Sequence, residues 1–190
     1  MGVVIIMTLT SSRKFPKAKS NSFTLVELLV VISIIGLLAG LGLPAINGAM
    51  KAGKRAEVAA MAESIKTGVN AFYAEYLTYP TNASGIVFTK TDTEFLEVLS
   101  TTNTNGGNSR GIIFLEVAPK FTNSDGLVTP KGFLSGGKQT NFFIMFDTNN
   151  SGYVNPKSFS GTLTNTNVAS SVAVWVVDPT TNTKAIGTFK

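Results

Sequence analysis

Two stretches of this 190-residue chain carry residue types at spacings that could do chemistry. The first is Ser22-Phe23-Thr24-Leu25-Val26-Glu27, at the head of an apolar run. From Phe23 to Leu43 the chain has 21 residues and a single charge, Glu27. At about 1.5 Å rise per helical residue this is roughly 31 Å, the thickness of a bilayer's hydrocarbon core. A lone carboxylate near the start of such a span is costly in lipid and marks a functional position. The second stretch is Asp147-Thr148-Asn149-Asn150-Ser151-Gly152-Tyr153-Val154-Asn155. Side-chain oxygens from Asp147, Asn149 and Ser151 at positions 1, 3 and 5, Gly152 at 6 and the Tyr153 carbonyl at 7 follow the start of a calcium loop. Position 12 is Ser158, so the usual bidentate Glu is missing, and Asp178 or Asp125 would have to fold back to supply a second carboxylate. The alternative is a polar hairpin turn, with the Asn and Ser side chains serving only the turn.

Composition removes most other chemistry. The chain has no Cys and no His. It therefore has no disulfide, thiolate nucleophile, imidazole base or Cys/His metal site. Its acids are scattered rather than paired, which speaks against an enzyme. The formal charge of +5 is misleading, because Arg13, Lys14, Lys17 and Lys19 all precede Phe23 and no acid does. Without residues 1–22, 12 Lys+Arg face 11 Asp+Glu. The remainder is near neutral and offers no nucleic-acid surface.

The elements that must position these residues follow from pattern. Residues 1–22 form a basic leader to be cleaved. Its cations directly precede the apolar run, the reverse of a secretory signal, and place it on the cytoplasmic side with the C-terminal mass outside. Met1–Leu9 is largely apolar, and Met7 is an alternative start. Residues 23–44 are the transmembrane helix. Gly36-x-x-x-Gly40 permits close helix approach, while Gly36, Gly40, Gly42 and Pro44 weaken its second half. Residues 45–190 form the globular head. Its first part continues the helix over 45–77, because Val58, Met61, Ile65, Val69, Phe72 and Tyr76 recur at helical spacing as a core stripe, and Tyr79-Pro80 ends it. A Thr91–Glu94 capping box predicts a short helix over 92–100. A polar loop over 101–111, a short apolar segment over 112–117 and irregular hairpins over 119–141 follow. Phe142–Phe146 and Ser171–Val177 read as strands, and Ala185–Phe189 as an edge strand. The fold class is α+β, a long N-terminal helix packed by a small antiparallel sheet.

The segment from Ser22 to Glu27 resembles the N-terminal methylation motif of type IV pilins and of type II secretion pseudopilins. In that family a basic leader is cut just before a Phe, an acid stands five residues into the mature chain, and a long apolar helix follows. Lys19, Phe23, Glu27 and Pro44 match that pattern, and Ser22 stands where the family has Gly. Tyr79-Pro80, residues 110–116 and residues 171–175 resemble segments of major pseudopilins of the G type. No Cys pair closes a C-terminal loop as in many adhesive pilins.

The resemblance implies a type IV pilin-like fold and a structural role. A prepilin peptidase would cut between Ser22 and Phe23 and methylate the Phe23 amine. Glu27 would pair with the Phe23 amine of a neighbouring copy in a helical homo-oligomer, and the helix from Gly36 to Pro44 would unwind there. The implied partners are membrane lipid, an inner-membrane assembly platform and minor pseudopilins. The implied location is the inner membrane, single-pass, with the head in the periplasm. Calcium, held by Asp147, Asn149, Ser151, Tyr153 and Asp178, is the one cofactor expected. The leading reading is a pseudopilus subunit that pushes folded proteins across the outer membrane. The rivals are a type IV pilin for adhesion, motility or DNA uptake, and a signal-anchored ligand-binding module.

Overall fold

The computed structural model describes residues 23–102, 104, 107–159, 163 and 167–189. The leader expected over 1–22, Ser22 included, lies outside them. The described residues fall into two compact units that part between Pro44 and Ala45.

Helix α1 runs over Leu25–Tyr76 and contributes to both units. In the first unit its residues are apolar on every side, Glu27 and Ser33 apart, and its large side chains are exposed: Leu25 is 78% exposed and Leu37 65%. A helix apolar all round is a membrane span or a buried core helix. This one has the length and composition to cross a bilayer, and none of its apolar window is buried within the chain.

In the second unit the periodic stripe does what its spacing predicts. Val58, Met61, Ile65, Val69 and Phe72 are buried in the main core, with Tyr76 packed against its margin. The helix ends at Tyr76, one residue short of the expected end at 77. Leu77 takes a left-handed conformation (φ 57°) and its N–H donates to the Tyr73 carbonyl at 2.8 Å, closing the last turn. The Tyr79 ring then stacks on Phe146 at 4.7 Å, so the Tyr-Pro pair serves the turn rather than the helix.

Helix α2 covers Thr93–Ser100. Its cap is Asp92, whose Oδ1 accepts from the Phe95 N–H at 2.9 Å, and not the expected Thr91. Thr91 is fully buried and otherwise engaged: its hydroxyl donates to the Leu127 carbonyl at 2.8 Å and accepts from the Phe142 N–H at 2.9 Å. Glu94 accepts from the Ala83 N–H instead of closing a capping box.

Strands β1 (Thr122–Asn123) and β2 (Gly126–Leu127) form a two-residue antiparallel ladder. Strands β3 (Phe143–Phe146), β4 (Val172–Val177) and β5 (Ala185–Gly187) form the main sheet, antiparallel in the order β3-β4-β5. Trp175 faces Phe143 in β3 and Gly187 in β5. Central strand β4 reads as an unbroken apolar run because both its faces are covered. Val172, Val174 and Val176 join the core that holds the α1 stripe. Ala173 and Trp175 join a second cluster with Val154 and Leu163. A one-turn helix, α3 (Pro156–Phe159), follows the Asp147 stretch.

Candidate assembly site at the helix start and the Asp147 turn

Thr24 and Glu27 close a reciprocal cap on α1. The Glu27 N–H donates to Thr24 Oγ1 at 3.2 Å. Glu27 Oε2 accepts from the Thr24 N–H at 2.9 Å and from the Thr24 hydroxyl at 2.7 Å. Thr24 is thus the N-cap and Glu27 the N3 residue of a capping box. The signal was present in the sequence as Thr-x-x-Glu before an apolar run, hidden by the attention that the lone charge attracts. Both bonds fall on Oε2, and Oε1 has no partner among the described residues. Phe23 is exposed next to this cap.

Gly36 and Gly40 lie on α1 with nothing within 4 Å of where a Cβ would stand. α1 is helical throughout Leu25–Tyr76, position 44 included. The Ser33 hydroxyl donates back to the Leu29 carbonyl at 2.7 Å, which removes its polarity from the apolar face.

The Asp147 stretch is a tight turn. Asp147 Oδ1 accepts from the Ser151 N–H and hydroxyl, each at 2.9 Å, and Oδ2 accepts from the Gly152 N–H at 2.6 Å. Asn150 (φ 53°) and Gly152 (φ 80°) are both left-handed, so the chain reverses within five residues. The Ser151 N–H, helped by Gly152 and the Ser151 hydroxyl and opposed by burial, holds the Asp147 carboxyl below the usual 3.8. Asp178 has its own partners. Its Oδ1 accepts from Arg55 Nη2 at 3.1 Å, from the Thr180 N–H at 2.9 Å and from the Thr180 hydroxyl at 2.7 Å. Burial pushes the Asp178 carboxyl up, but the Thr180 bonds and the Arg55 guanidinium outweigh it and hold it low.

Each carboxylate thus takes its bonds from its own surroundings, Asp147 from Ser151 and Gly152 and Asp178 from Thr180 and Arg55. Among the described residues no three acids, His or Cys come together as a metal site. Of the expected calcium ligands Asp147, Asn149, Ser151, Tyr153 and Asp178, Asp147 and Ser151 are bonded to each other within a turn, and Asp178 is bonded to Thr180 and Arg55.

Sequence reasoning missed two organising residues. Asn108, fully buried, donates from Nδ2 to the Val98 and Ile112 carbonyls, each at 2.9 Å. Its Oδ1 accepts from the Tyr76 hydroxyl at 2.8 Å and the Ile112 N–H at 3.0 Å. The loop context gave no sign that this one Asn among many would be internal. Arg55, the other, pairs with Asp178 across 123 positions, a separation that local pattern does not reveal.

Comparison with known proteins agrees with this geometry. The model of the prokaryotic N-terminal methylation motif matches residues 17–43. The fimbrial protein EcpC of Eikenella corrodens is 30% identical over 122 residues, 58% of this chain and 80% of the relative. The type IV major pilin protein PilE1 of Neisseria gonorrhoeae is 34% identical over 87 residues, 45% of this chain. A fimbrial protein of Neisseria meningitidis serogroup A is 35% identical over 87 residues. The matched part spans 41% and 51% of these two Neisseria relatives. No solved structure matches.

Proposed function

The chain belongs to the type IV pilin-like family, and from that premise we propose that it is the protomer of a helical filament, a structural subunit rather than an enzyme. The observation that carries this reading is the start of α1. An apolar helix long enough to span a bilayer has none of its apolar window buried among the described residues, and its one carboxylate keeps Oε1 without a partner among them while Oε2 caps the helix. A membrane-anchored monomer that leaves lipid must re-cover that apolar surface, and copies of the same helix provide an equally apolar environment. An open carboxylate oxygen in such a bundle calls for a cation. The amine of Phe23 in a neighbouring copy, released by a prepilin peptidase cutting after Ser22, supplies one. Pairing would then fix the axial register of the protomers. Gly36 and Gly40 would let the helices approach. The cations at Arg13, Lys14, Lys17 and Lys19 orient the anchor in the inner membrane with the head in the periplasm.

Within this role the first reading is a pseudopilus of type II secretion, working with an inner-membrane platform and minor pseudopilins. It is favoured by a chain without Cys, which cannot close the C-terminal disulfide loop of many adhesive pilins. The second reading is a surface type IV pilin, favoured by the names of the Neisseria and Eikenella relatives. Deletion separates the two. Loss of secreted proteins with surface fibres intact supports the pseudopilus, and loss of surface fibres with secretion intact supports the pilin. Intact secretion together with intact fibres would overturn both.

A further inference from the structure

The turn that follows β3 has a second chemical reading. Asp147-Thr148-Asn149-Asn150-Ser151 places an amide with a hydroxyl residue two positions later and an acid two positions earlier, without Pro at either intervening position. Asn-x-Ser is the acceptor pattern for N-linked glycan transfer on exported surface loops. The acid at the −2 position is the added element that bacterial oligosaccharyltransferases read. We propose that Asn149 is an N-glycosylation site of this protein. The proposal rests on the reading that the head is exported.

The geometry distinguishes this amide from others. Thr148, Asn149, Asn150 and Ser151 are all exposed in succession. The Asn149 side chain has no hydrogen-bond partner among the described residues, so its Nδ2 loses nothing on modification. The two residues that a transferase reads, Asp147 and Ser151, are clasped to each other by the two 2.9 Å bonds. They bring the acid and the hydroxyl to one side of the turn and leave the amide at its tip. A transferase must open that clasp to read both, so transfer takes place on the newly translocated chain, before the turn closes. The chain contains a built-in contrast in Asn82-Ala83-Ser84, which has Pro80 at −2 in place of an acid. There Asn82 Oδ1 already accepts from the Ser84 N–H at 3.0 Å and the Ile86 N–H at 2.9 Å. A transferase that needs the acid modifies Asn149 and ignores Asn82.

The donor is a polyprenyl-diphosphate-linked oligosaccharide. Asn149 Nδ2 forms a bond to the anomeric carbon of the first sugar as that carbon's bond to the diphosphate oxygen breaks. The polyprenyl diphosphate leaves with the electron pair. The amide gives up one proton, through a transferase carboxylate, to solvent. Nothing is oxidised or reduced.

The test expresses the full chain in bacteria that carry an acid-requiring oligosaccharyltransferase and its lipid-linked glycan, with a flexible Asp-Gln-Asn-Ala-Thr tag added after Lys190 as a control acceptor. Peptide mass spectrometry reads each site. The expected result is glycan on the tag and on Asn149, none on Asn82, and complete loss at the first site in Asn149→Gln. A glycosylated tag with bare Asn149 overturns the proposal and leaves the export reading standing. A bare tag on a chain whose transferase modifies a secreted control protein overturns the export reading, and the proposal with it.

Discussion

Arg55 on α1 and Asp178 at the end of β4 are joined at 3.1 Å, although 123 positions separate them in sequence. The Asp178 side chain is the more enclosed of the pair, 11% exposed against 41% for Arg55. It also accepts both bonds from Thr180. The pair ties the helix to the β4–β5 connection and fixes how the sheet seats on the α1 stripe. Losing Asp178 strands more donors than losing Arg55. We expect Asp178→Ala to destabilise the head by about 2 kcal/mol and Arg55→Ala by about 1 kcal/mol or less. Urea denaturation of the two variants checks the order, and an equal or reversed cost would contradict it.

Asp147 and Asp178 both have carboxyls held below the usual aspartate value of 3.8. A carboxyl depressed in the folded state contributes stability that is fully present above its unfolded value. That contribution is lost as pH falls from there through the folded value. The head should therefore keep this part of its stability from neutral pH down to about pH 5 and lose it below about pH 4. Thermal unfolding from pH 7 to pH 3 measures this, and the double variant Asp147→Asn, Asp178→Asn should flatten the acid limb. An unchanged limb in the double variant would show that other groups control it.

The Asp147 carboxylate takes its hydrogen bonds from within its own turn. Chelator should leave the melting temperature of the head unchanged, and added calcium should not raise it. Asp147→Ala should lower it with or without calcium, because the Ser151 and Gly152 N–H groups lose their acceptor. A rise on adding calcium that Asp147→Ala abolishes would restore the metal reading.

Glycines separate folding from assembly. A Cβ at Gly126 (φ 103°) would stand 2.2 Å from the Asp92 carbonyl carbon, and one at Gly187 2.1 Å from the Val174 carbonyl oxygen. Both clashes are with backbone that cannot yield cheaply, so Gly126→Ala and Gly187→Ala should each cost about 3 kcal/mol or more. At Gly36 and Gly40 no described residue comes within 4 Å of the added Cβ. Gly36→Ala and Gly40→Ala should leave the head's stability and membrane insertion untouched, and reduce filament yield where helices of neighbouring copies meet. Normal filament yield from both variants would remove these glycines from the interface.

Much of this was legible in the sequence because the governing signals are local and periodic. The α1 stripe, the apolar span and strands β3 to β5 each lie where the pattern puts them. What was not legible depended on competition between neighbours or on distant partners. Thr91 had the right residue type to cap α2, but burial between β2 and β3 claimed its hydroxyl, and the cap passed to Asp92. Leu77 closes α1 in a left-handed conformation that no propensity assigns to Leu. For Asp147 and Asp178 the sequence shows the acceptors but not the donors that meet them, Ser151 and Gly152 for one and Thr180 and Arg55 for the other.

Glu27 caps α1, and in the proposed filament it also pairs with a neighbour's Phe23 amine, two roles that one substitution can part. Gln at N3 of a capping box still accepts from the cap N–H but has no charge. Glu27→Gln should therefore insert and fold normally yet fail to assemble, whereas Thr24→Val should weaken the helix start and leave the carboxylate free to pair. Filaments of normal length and number from Glu27→Gln would remove charge pairing from the mechanism.

Processing of the start of α1 into an assembly interface is read most directly from the intact mass of the protein isolated from its membrane. The expected chain has lost residues 1–22 and begins with a singly N-methylated Phe23. A full-length chain, or one cut elsewhere than between Ser22 and Phe23, would contradict it.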